Sequence, residues 1–293
     1  MLSLHTNNAA LSAQNSISRT QTKLSTSMTR LSTGLRVNSA MDDAAGLQIA
    51  TRLKAQTSGM AMAMRNTQNG VSMMQTAEGA LDETTNILVR MKDLATQASD
   101  ATSSTVDGAA MQAEYDALTS ELSNIVNNTS FGGTKLMNDT TGLLSTGAID
   151  FQIGASTAEK MNVDVSATIT TMHASLLAAA AGYDSTGAGI AAVGSDITTN
   201  AGANTKIDQL STAIADVGAL RSALGAASNR LDHVYNNLAN VSTNTKAASG
   251  RIMDVDFATE SSTMTSSQMQ LQAGTAMLKQ SNSTSSLVMS LLQ

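Results

Sequence analysis

Between Ile207 and Val241 the apolar residues Val217, Leu220, Leu224, Ala227, Leu231, Val234, Leu238 and Val241 follow one another at alternating intervals of three and four. An α-helix turns once in about 3.6 residues, so this period keeps the side chains in one nearly straight line. Such a line is the seam of a long helix lying against other helices along its length. A strand, whose period is two, is excluded. Leu210, Ala213 and Ile214 carry the pattern upstream, and no proline interrupts it here or anywhere in the 293 residues. A rod this long needs companion rods.

Composition says how those rods pack. Only 2% of residues are aromatic, with no Trp, three Tyr and three Phe, so Ala, Leu and 18 Met must fill the interior. These residues suit side-by-side helices better than a thick sandwich or an α/β core. The net charge of −6 argues against a nucleic-acid partner. The absence of Cys removes disulfides, thiolate metal sites and Cys nucleophiles together. The longest apolar run, Leu176 to Ala181, is far short of the roughly 20 residues that span a bilayer, so no membrane insertion is expected. Met1 to Gln14 lacks the basic start and apolar block of a signal peptide. If the protein works outside the cell, it leaves by another route.

Taken in order, the chain supplies the companions. Ile17, Leu24 and Leu31 are seven apart, with Met28 and Leu35 between and after them, so Leu2 to Ser32 reads as one amphipathic helix stopped by Gly34. Ser39 with Asp42 has the form of a capping box opening the next helix, which runs from Asp43 to about Ser99 and is weakened locally by Gly46, Gly59, Gly70 and Gly79. Ser99 to Gly108 reads as a loop. Met111, Tyr115, Leu118, Leu122 and Ile125 form a shorter seam. Ile149, Phe151 and Ile153 alternate, as do Met161, Val163 and Val165, which predicts a β-hairpin with a companion strand near Gly133 to Met137. From Ser166 to Thr205 the chain is mostly Ala, Gly, Ser and Thr with little period, apart from a short helix expected near Ala174 to Ala181. Beyond a break at Ser249–Gly250 and Asp254–Asp256, Phe257, Met264, Leu271 and Leu278 recur at intervals of seven, with Val288 and Leu292 near the end.

The expected fold class is mainly α: a long antiparallel helical bundle or coiled coil from the N- and C-terminal segments, with a small β-hairpin region in the middle. Residues 1–33 and 257–293 form a terminal helical pair. Residues 34–165 and 205–256 form a helical core domain with the hairpin, and 166–204 is a small variable outer segment. The expected assembly seam is Leu24, Met28 and Leu31 with Phe257, Met264, Leu271 and Leu278. Both ends are nearly uncharged and have too little apolar surface to be stable alone, so they are expected to order on association.

Several stretches then resemble a known family. Leu31-Ser-Thr-Gly-Leu-Arg-Val-Asn-Ser-Ala-Met-Asp-Asp-Ala-Ala-Gly46, Glu78-Gly-Ala-Leu-Asp-Glu83 and Arg90-Met-Lys-Asp-Leu-Ala-Thr-Gln97 resemble the N-terminal region of bacterial flagellins. Leu220-Arg-Ser-Ala-Leu-Gly-Ala-Ala-Ser-Asn-Arg230, Asp256-Phe-Ala-Thr-Glu260, Gln272-Ala-Gly-Thr275 and Leu287-Val-Met-Ser-Leu-Leu292 resemble the C-terminal region. The likeness covers roughly 1–165 and 205–293 and is closest to short or lateral-type flagellins without large outer domains. It departs at Asn282 to Ser286, where the family commonly has a Pro. The resemblance implies a helical homopolymer: a structural subunit of the extracellular flagellar filament, used for motility. It also implies an export chaperone, cap and junction proteins as partners, and a vertebrate Toll-like receptor as a detector, with Arg90, Leu94 and Glu114 at the matching positions.

An enzyme is not expected. His5, His173 and His233 are far apart and outside any H-E-x-x-H setting, so neither a metal nor another cofactor is expected. Asp42–Asp43 and Asp254/Asp256 read as helix caps, where carboxylates meet the positive end of the helix dipole. The alternative function is a hook–filament junction protein. Those often carry Pro directly after the Asp-Asp pair, where this chain has Ala44.

Overall fold

The computed structural model of the chain describes residues 7–187 and 194–291, with side chains described as far as 283. Its elements, in order, are α1 (Asn8–Thr33), α2 (Ala44–Ala98), α3 (Thr105–Asn128), β1 (Ser130–Phe131), β2 (Thr134–Lys135), β3 (Ile149–Gln152), β4 (Lys160–Val163), α4 (Ser166–Ala179), α5 (Asn200–Met253) and α6 (Phe257–Leu291). The chain is mainly α, as the apolar period requires. The expected start of the first helix at Leu2, and Leu292 at the end, lie outside the described residues, as does the side chain of Val288.

Local chemistry sets the helix ends. The Asn7 side chain accepts the Ala10 N–H at 3.1 Å to open α1, and Gly34, with φ 73°, closes it in the left-handed region by donating its N–H to the Arg30 carbonyl. The Ser39–Asp42 pair forms, but it does not cap α2. Asp42 accepts the backbone N–H groups of Asn38 and Ser39 and so closes the turn ahead of the helix. Asp43 is the residue that opens α2, taking the Gly46 N–H at 2.8 Å. The stretch from Ser99 to Gly108 is not all loop. Ser104 and Asp107 make a reciprocal capping box that starts α3 at Thr105. Asp256 receives the Ala258 N–H and the Thr259 hydroxyl at the start of α6, the capping role expected of it.

The chain divides into two compact units, Met1–Thr57 with Thr243–Gln293, and Ser58–Ser242. These bounds fall inside α2 and α5, whereas the sequence suggested breaks after 33 and 256. The reason is that the long helices continue without interruption past the links that join them to α1 and α6.

In the unit Ser58–Ser242 the α5 seam is the spine of the core. Leu210, Ala213, Val217, Leu220, Leu224, Ala227 and Leu231 are all buried. The seam fades beyond them, with Leu238 at 9% and Val241 at 39% exposure. Met74, Leu81, Leu88 and Met91 of α2 and Tyr115 and Leu122 of α3 belong to the same cluster. β3 and β4 pair antiparallel, Ile149 opposite Val163 and Phe151 opposite Met161, and turn Met161 and Val163 into that core. Two of the glycines that weaken α2, Gly59 and Gly70, serve this packing. A Cβ at Gly70 would stand 2.8 Å from the Phe151 ring, and one at Gly59 2.6 Å from the Ala155 Cβ, so the hairpin needs the missing side chains to sit on the helix.

Two expectations about the middle of the chain are corrected. The segment near Gly133 to Met137 is no companion to β3 and β4; β1 and β2 form their own hairpin across Gly132 and Gly133, both with positive φ. Segment 166–204, of which 188–193 lie outside the described residues, is no mere outer segment. Its helix α4 spans Ser166–Ala179 and buries Ile169, Met172, His173, Leu176 and Ala179 in the main core. Those positions have helical spacing, which the surrounding Ala and Thr conceal in the sequence. Polar bonds lock α4 in place. The Tyr115 hydroxyl donates to the Ala179 carbonyl at 2.7 Å, satisfying a helix-end acceptor, and burial raises its pKa well above the ordinary tyrosine range. His173 Nε2 faces the Met137 carbonyl and Nδ1 faces the Tyr183 hydroxyl, each at 2.8 Å. A carbonyl only accepts, so Nε2 carries the proton of a neutral ring and the Tyr183 hydroxyl donates to Nδ1.

Burial holds the His173 pKa below its ordinary value of 6.5 despite the opposing Met137 bond and nearby Asp139. The folded state then binds fewer protons than the unfolded chain at acid pH. Stability from this group is full above about 6.5 and falls as pH drops toward the lower folded value. Thermal melts of wild type and His173→Gln from pH 7.5 to about 5 should show a decline in the former that is visibly flatter in the latter; parallel curves would remove His173 as the cause.

Candidate assembly interface

The unit Met1–Thr57 with Thr243–Gln293 is built around α1 and α6. Asn7 Nδ2 donates to the Ser281 carbonyl at 3.3 Å, Ile17 lies against Gly274, and the Ser27 hydroxyl donates to Glu260 Oε1 at 2.5 Å. Residues ascending along α1 meet residues descending along α6, so the pair is antiparallel. On α6 the sheltered positions are Glu260, Met264, Ser267, Leu271, Gly274, Leu278 and Ser281, at alternating intervals of four and three. On α1 the same spacing runs through Ala10, Ala13, Ile17, Thr20, Leu24, Ser27 and Leu31. This is a seven-residue repeat in which one slot is apolar and the other is small or polar.

Of the expected seam residues, Leu24, Leu31, Met264, Leu271 and Leu278 are half-buried in the sheltered positions. Met28 and Phe257 are not, at 49% and 56% exposure. The slot after Leu24 falls three residues on, at Ser27, which is 3% exposed and displaces Met28 to the flank. Phe257 is the first residue of α6 and lies over Gly34, whose added Cβ would come 3.9 Å from the ring edge. Following the large apolar residues alone misses the polar slots. Their signal in the sequence is the interval of three between Leu24 and Ser27, matched by Met264 and Ser267.

Polar contacts fix the register. Glu260 holds Ser27 and also faces Arg30 at 3.7 Å, and Arg30 reaches back toward Asp42 at 4.0 Å. Backbone bonds to Ser39 and Asn38 hold the Asp42 carboxyl below the usual carboxylate range, so it stays charged beside Arg30. Nearby, the links that follow α1 and α5 pair as a short antiparallel bridge between Leu35 and Asp254. The Arg36 N–H donates to the Met253 carbonyl at 2.6 Å and the Val255 N–H to the Gly34 carbonyl at 3.1 Å. Ends of four helices are thus tied at one crossing.

The outer faces of the pair are not purely polar. Leu11, Met28, Phe257, Met269 and Met277 are 49%, 49%, 56%, 60% and 67% exposed. Met269 is two positions past Ser267 and lies on the side of α6 away from α1. Nothing in the pairing of α1 with α6 accounts for an apolar side chain there.

In the unit Ser58–Ser242, Arg90 and Glu114 meet as an exposed ion pair, with Arg90 Nε and Nη2 donating to Glu114 Oε1 at 2.9 and 2.6 Å. Leu94, the third position that the resemblance gave for a receptor contact, is 2% exposed and packs in the core. Among the described residues no group of three or more His, Asp or Glu side chains is arranged to hold a metal ion, and no helix is long and apolar enough to cross a membrane.

The chain thus has paired terminal helices with exposed apolar outer faces and a separately cored helical unit. Residues 4–142 match the family model of the bacterial flagellin N-terminal helical region, and 207–292 that of the C-terminal helical region. The chain is 37% identical over 261 residues to a flagellin of Halalkalibacterium halodurans, covering 89% of this chain and 88% of that protein. It is 36% identical over 310 residues to a flagellin of Bacillus subtilis, covering 99% of each. A structure of a putative flagellar hook-associated protein from Vibrio parahaemolyticus aligns with a TM-score of 0.54 over 73% of this chain and all of that one. At 15% identity that likeness speaks to the fold alone. The chain belongs to the bacterial flagellin family, and it is a short member, a structural subunit of the extracellular flagellar filament used in motility.

The pair's closest approach gives a direct test. A Cβ at Gly274 would stand 2.9 Å from Ile17 Cγ1, near the root of a stiff side chain. Gly274→Leu should lower the yield of filaments in seeded assembly on the order of tenfold, equivalent to about 1.4 kcal/mol. Adding Ile17→Ala should restore part of it, whereas equal yields in all three chains would show that the helices do not pair in this register.

Proposed function

We propose that α1 and α6 become fully ordered only as the subunit joins the filament, and that assembly is coupled folding. The half-polar seam carries this reading. Fully burying a large apolar side chain contributes about 1.5–3 kcal/mol, and the pair's large seam residues are only half-buried. Such a seam is a weak support for two long helices by themselves. Further copies of the chain would supply the missing burial by covering Leu11, Met269 and Met277. The monomer leaves the cell through the flagellar export channel as a largely unfolded chain, held beforehand by an export chaperone. It adds beneath a cap protein at the filament tip, beyond the junction proteins. The nearly uncharged Ser, Thr, Gln and Asn surface of the terminal helices would not hold passing chains electrostatically. The hook-associated alternative is less supported, because its likeness is one of fold.

Seeded growth followed by sedimentation and far-UV circular dichroism tests the reading. Wild type should form long filaments with a rise in helix content. Leu278→Asp should give a folded, helical monomer that forms none. Helices already complete in the monomer would overturn coupled folding, and only short complexes would favour the junction protein.

We also propose detection of the dissociated monomer by a vertebrate Toll-like receptor through the exposed Arg90–Glu114 pair, with Leu94 supporting the surface from beneath. Arg90→Asp reverses the charge and opposes Glu114. Receptor signalling in a reporter cell should fall by at least about tenfold, or about 1.4 kcal/mol, and unchanged signalling would dismiss the assignment.

A further inference from the structure

The methionines differ widely in burial. The chain has 18 Met and neither Cys nor Trp, so Met is its most readily oxidised side chain. Met60, Met73, Met74, Met91, Met111, Met137, Met161 and Met172 are buried, and all lie in the unit Ser58–Ser242. The terminal pair presents the opposite case. Met28, Met269 and Met277 are 49%, 60% and 67% exposed, outside the α1–α6 seam. A Leu would cover the same surface without being oxidisable.

We infer that Met28, Met269 and Met277 are reversible oxidation sites through which peroxide controls polymerisation of the subunit. This rests on the assembly reading proposed above. In the step itself the thioether sulfur attacks hydrogen peroxide; an S–O bond forms, the O–O bond breaks and water leaves. Sulfur loses two electrons and the product is the sulfoxide. The change converts a flexible apolar side chain into a polar one on the surface that assembly must bury. Core methionines are shielded, so the oxidised subunit keeps its helical core while its polymerisation is blocked. Methionine sulfoxide reductases, whose cysteine thiols are oxidised to a disulfide as the sulfoxide oxygen leaves as water, return the thioether and release the block.

The full-length monomer is treated with limiting hydrogen peroxide, and added oxygen is mapped by peptide mass spectrometry. Oxidation should fall on Met28, Met269 and Met277, together with exposed Met41 and Met62, and spare the eight core positions. The critical concentration for seeded assembly should rise on the order of tenfold, and reduction by the two epimer-specific reductases should restore it. The combined variant Met28→Leu, Met269→Leu, Met277→Leu should assemble in peroxide, whereas Met41→Leu should remain sensitive. Unchanged assembly of the oxidised wild type overturns the inference, as does continued sensitivity of the triple variant. If the Leu substitutions themselves impair growth, recovery of oxidised wild type on reduction decides. Failure of the untreated chain to polymerise would instead overturn the assembly reading, and with it this inference.

Discussion

The antiparallel contact of α1 with α6 is the interaction on which the terminal unit depends, and its large apolar residues are only half-buried. Leu24, Met264, Leu271 and Leu278 occupy sheltered slots, but Ser27, Ser267 and Gly274 take the slots between them. Small and polar residues remove apolar area from the seam and add direction. Gly274 admits Ile17 in one register, and Glu260 finds Ser27 and Arg30 in the same one. The small and polar slots set the alignment while the large apolar residues stay only half-buried. In the coupled folding proposed above both properties serve, since premature stability would hinder passage through an export channel and a slipped register would spoil the growing end.

The unit Ser58–Ser242 follows the opposite rule. Its α5 seam is completely covered from Leu210 to Leu231 by residues of α2, α3, α4 and the β3–β4 hairpin. Several polar groups inside it are paired: Tyr115 with the Ala179 carbonyl, His173 with Met137 and Tyr183, Asn138 with Asn127. Buried polar groups cost free energy when left unpaired, so these bonds fix one arrangement of α4 among the alternatives that an Ala-rich helix permits. Such a core has the full burial that the α1–α6 seam lacks.

Much of this architecture is legible in the order of residues alone. Intervals of three and four mark the α5 seam, and intervals of seven mark Ile17, Leu24, Leu31, Met264, Leu271 and Leu278 as parts of paired helices. Alternation marks β3 and β4. These signals survive because periodicity is a property of one element and needs no knowledge of its neighbour. The terminal motifs carry the family in the same way. Expectations that need a neighbour are the ones that fail. Met28 resembles a seam residue because it is large and apolar, yet Ser27 holds the slot. Leu94 stands at a position that the resemblance gave for a receptor contact, yet it packs in the core. Segment 166–204 resembles an outer appendage because Ala and Thr blur its period.

The sequence by itself determined that this chain would form long, unbroken helices, nearly uncharged at the ends and poor in large core fillers. Pro, Cys and Trp are absent, and apolar residues recur at helical spacing, all of which are local facts. Only the tertiary structure decided which face of each helix is sheltered and in what register α1 meets α6. It also decided that Gly59 and Gly70 seat the hairpin, and that α4 belongs to the core. Those outcomes turn on distances between residues far apart in the chain, such as Ile17 and Gly274 or Tyr115 and Ala179. A spacing rule carries no such distance; packing of one surface against another supplies it.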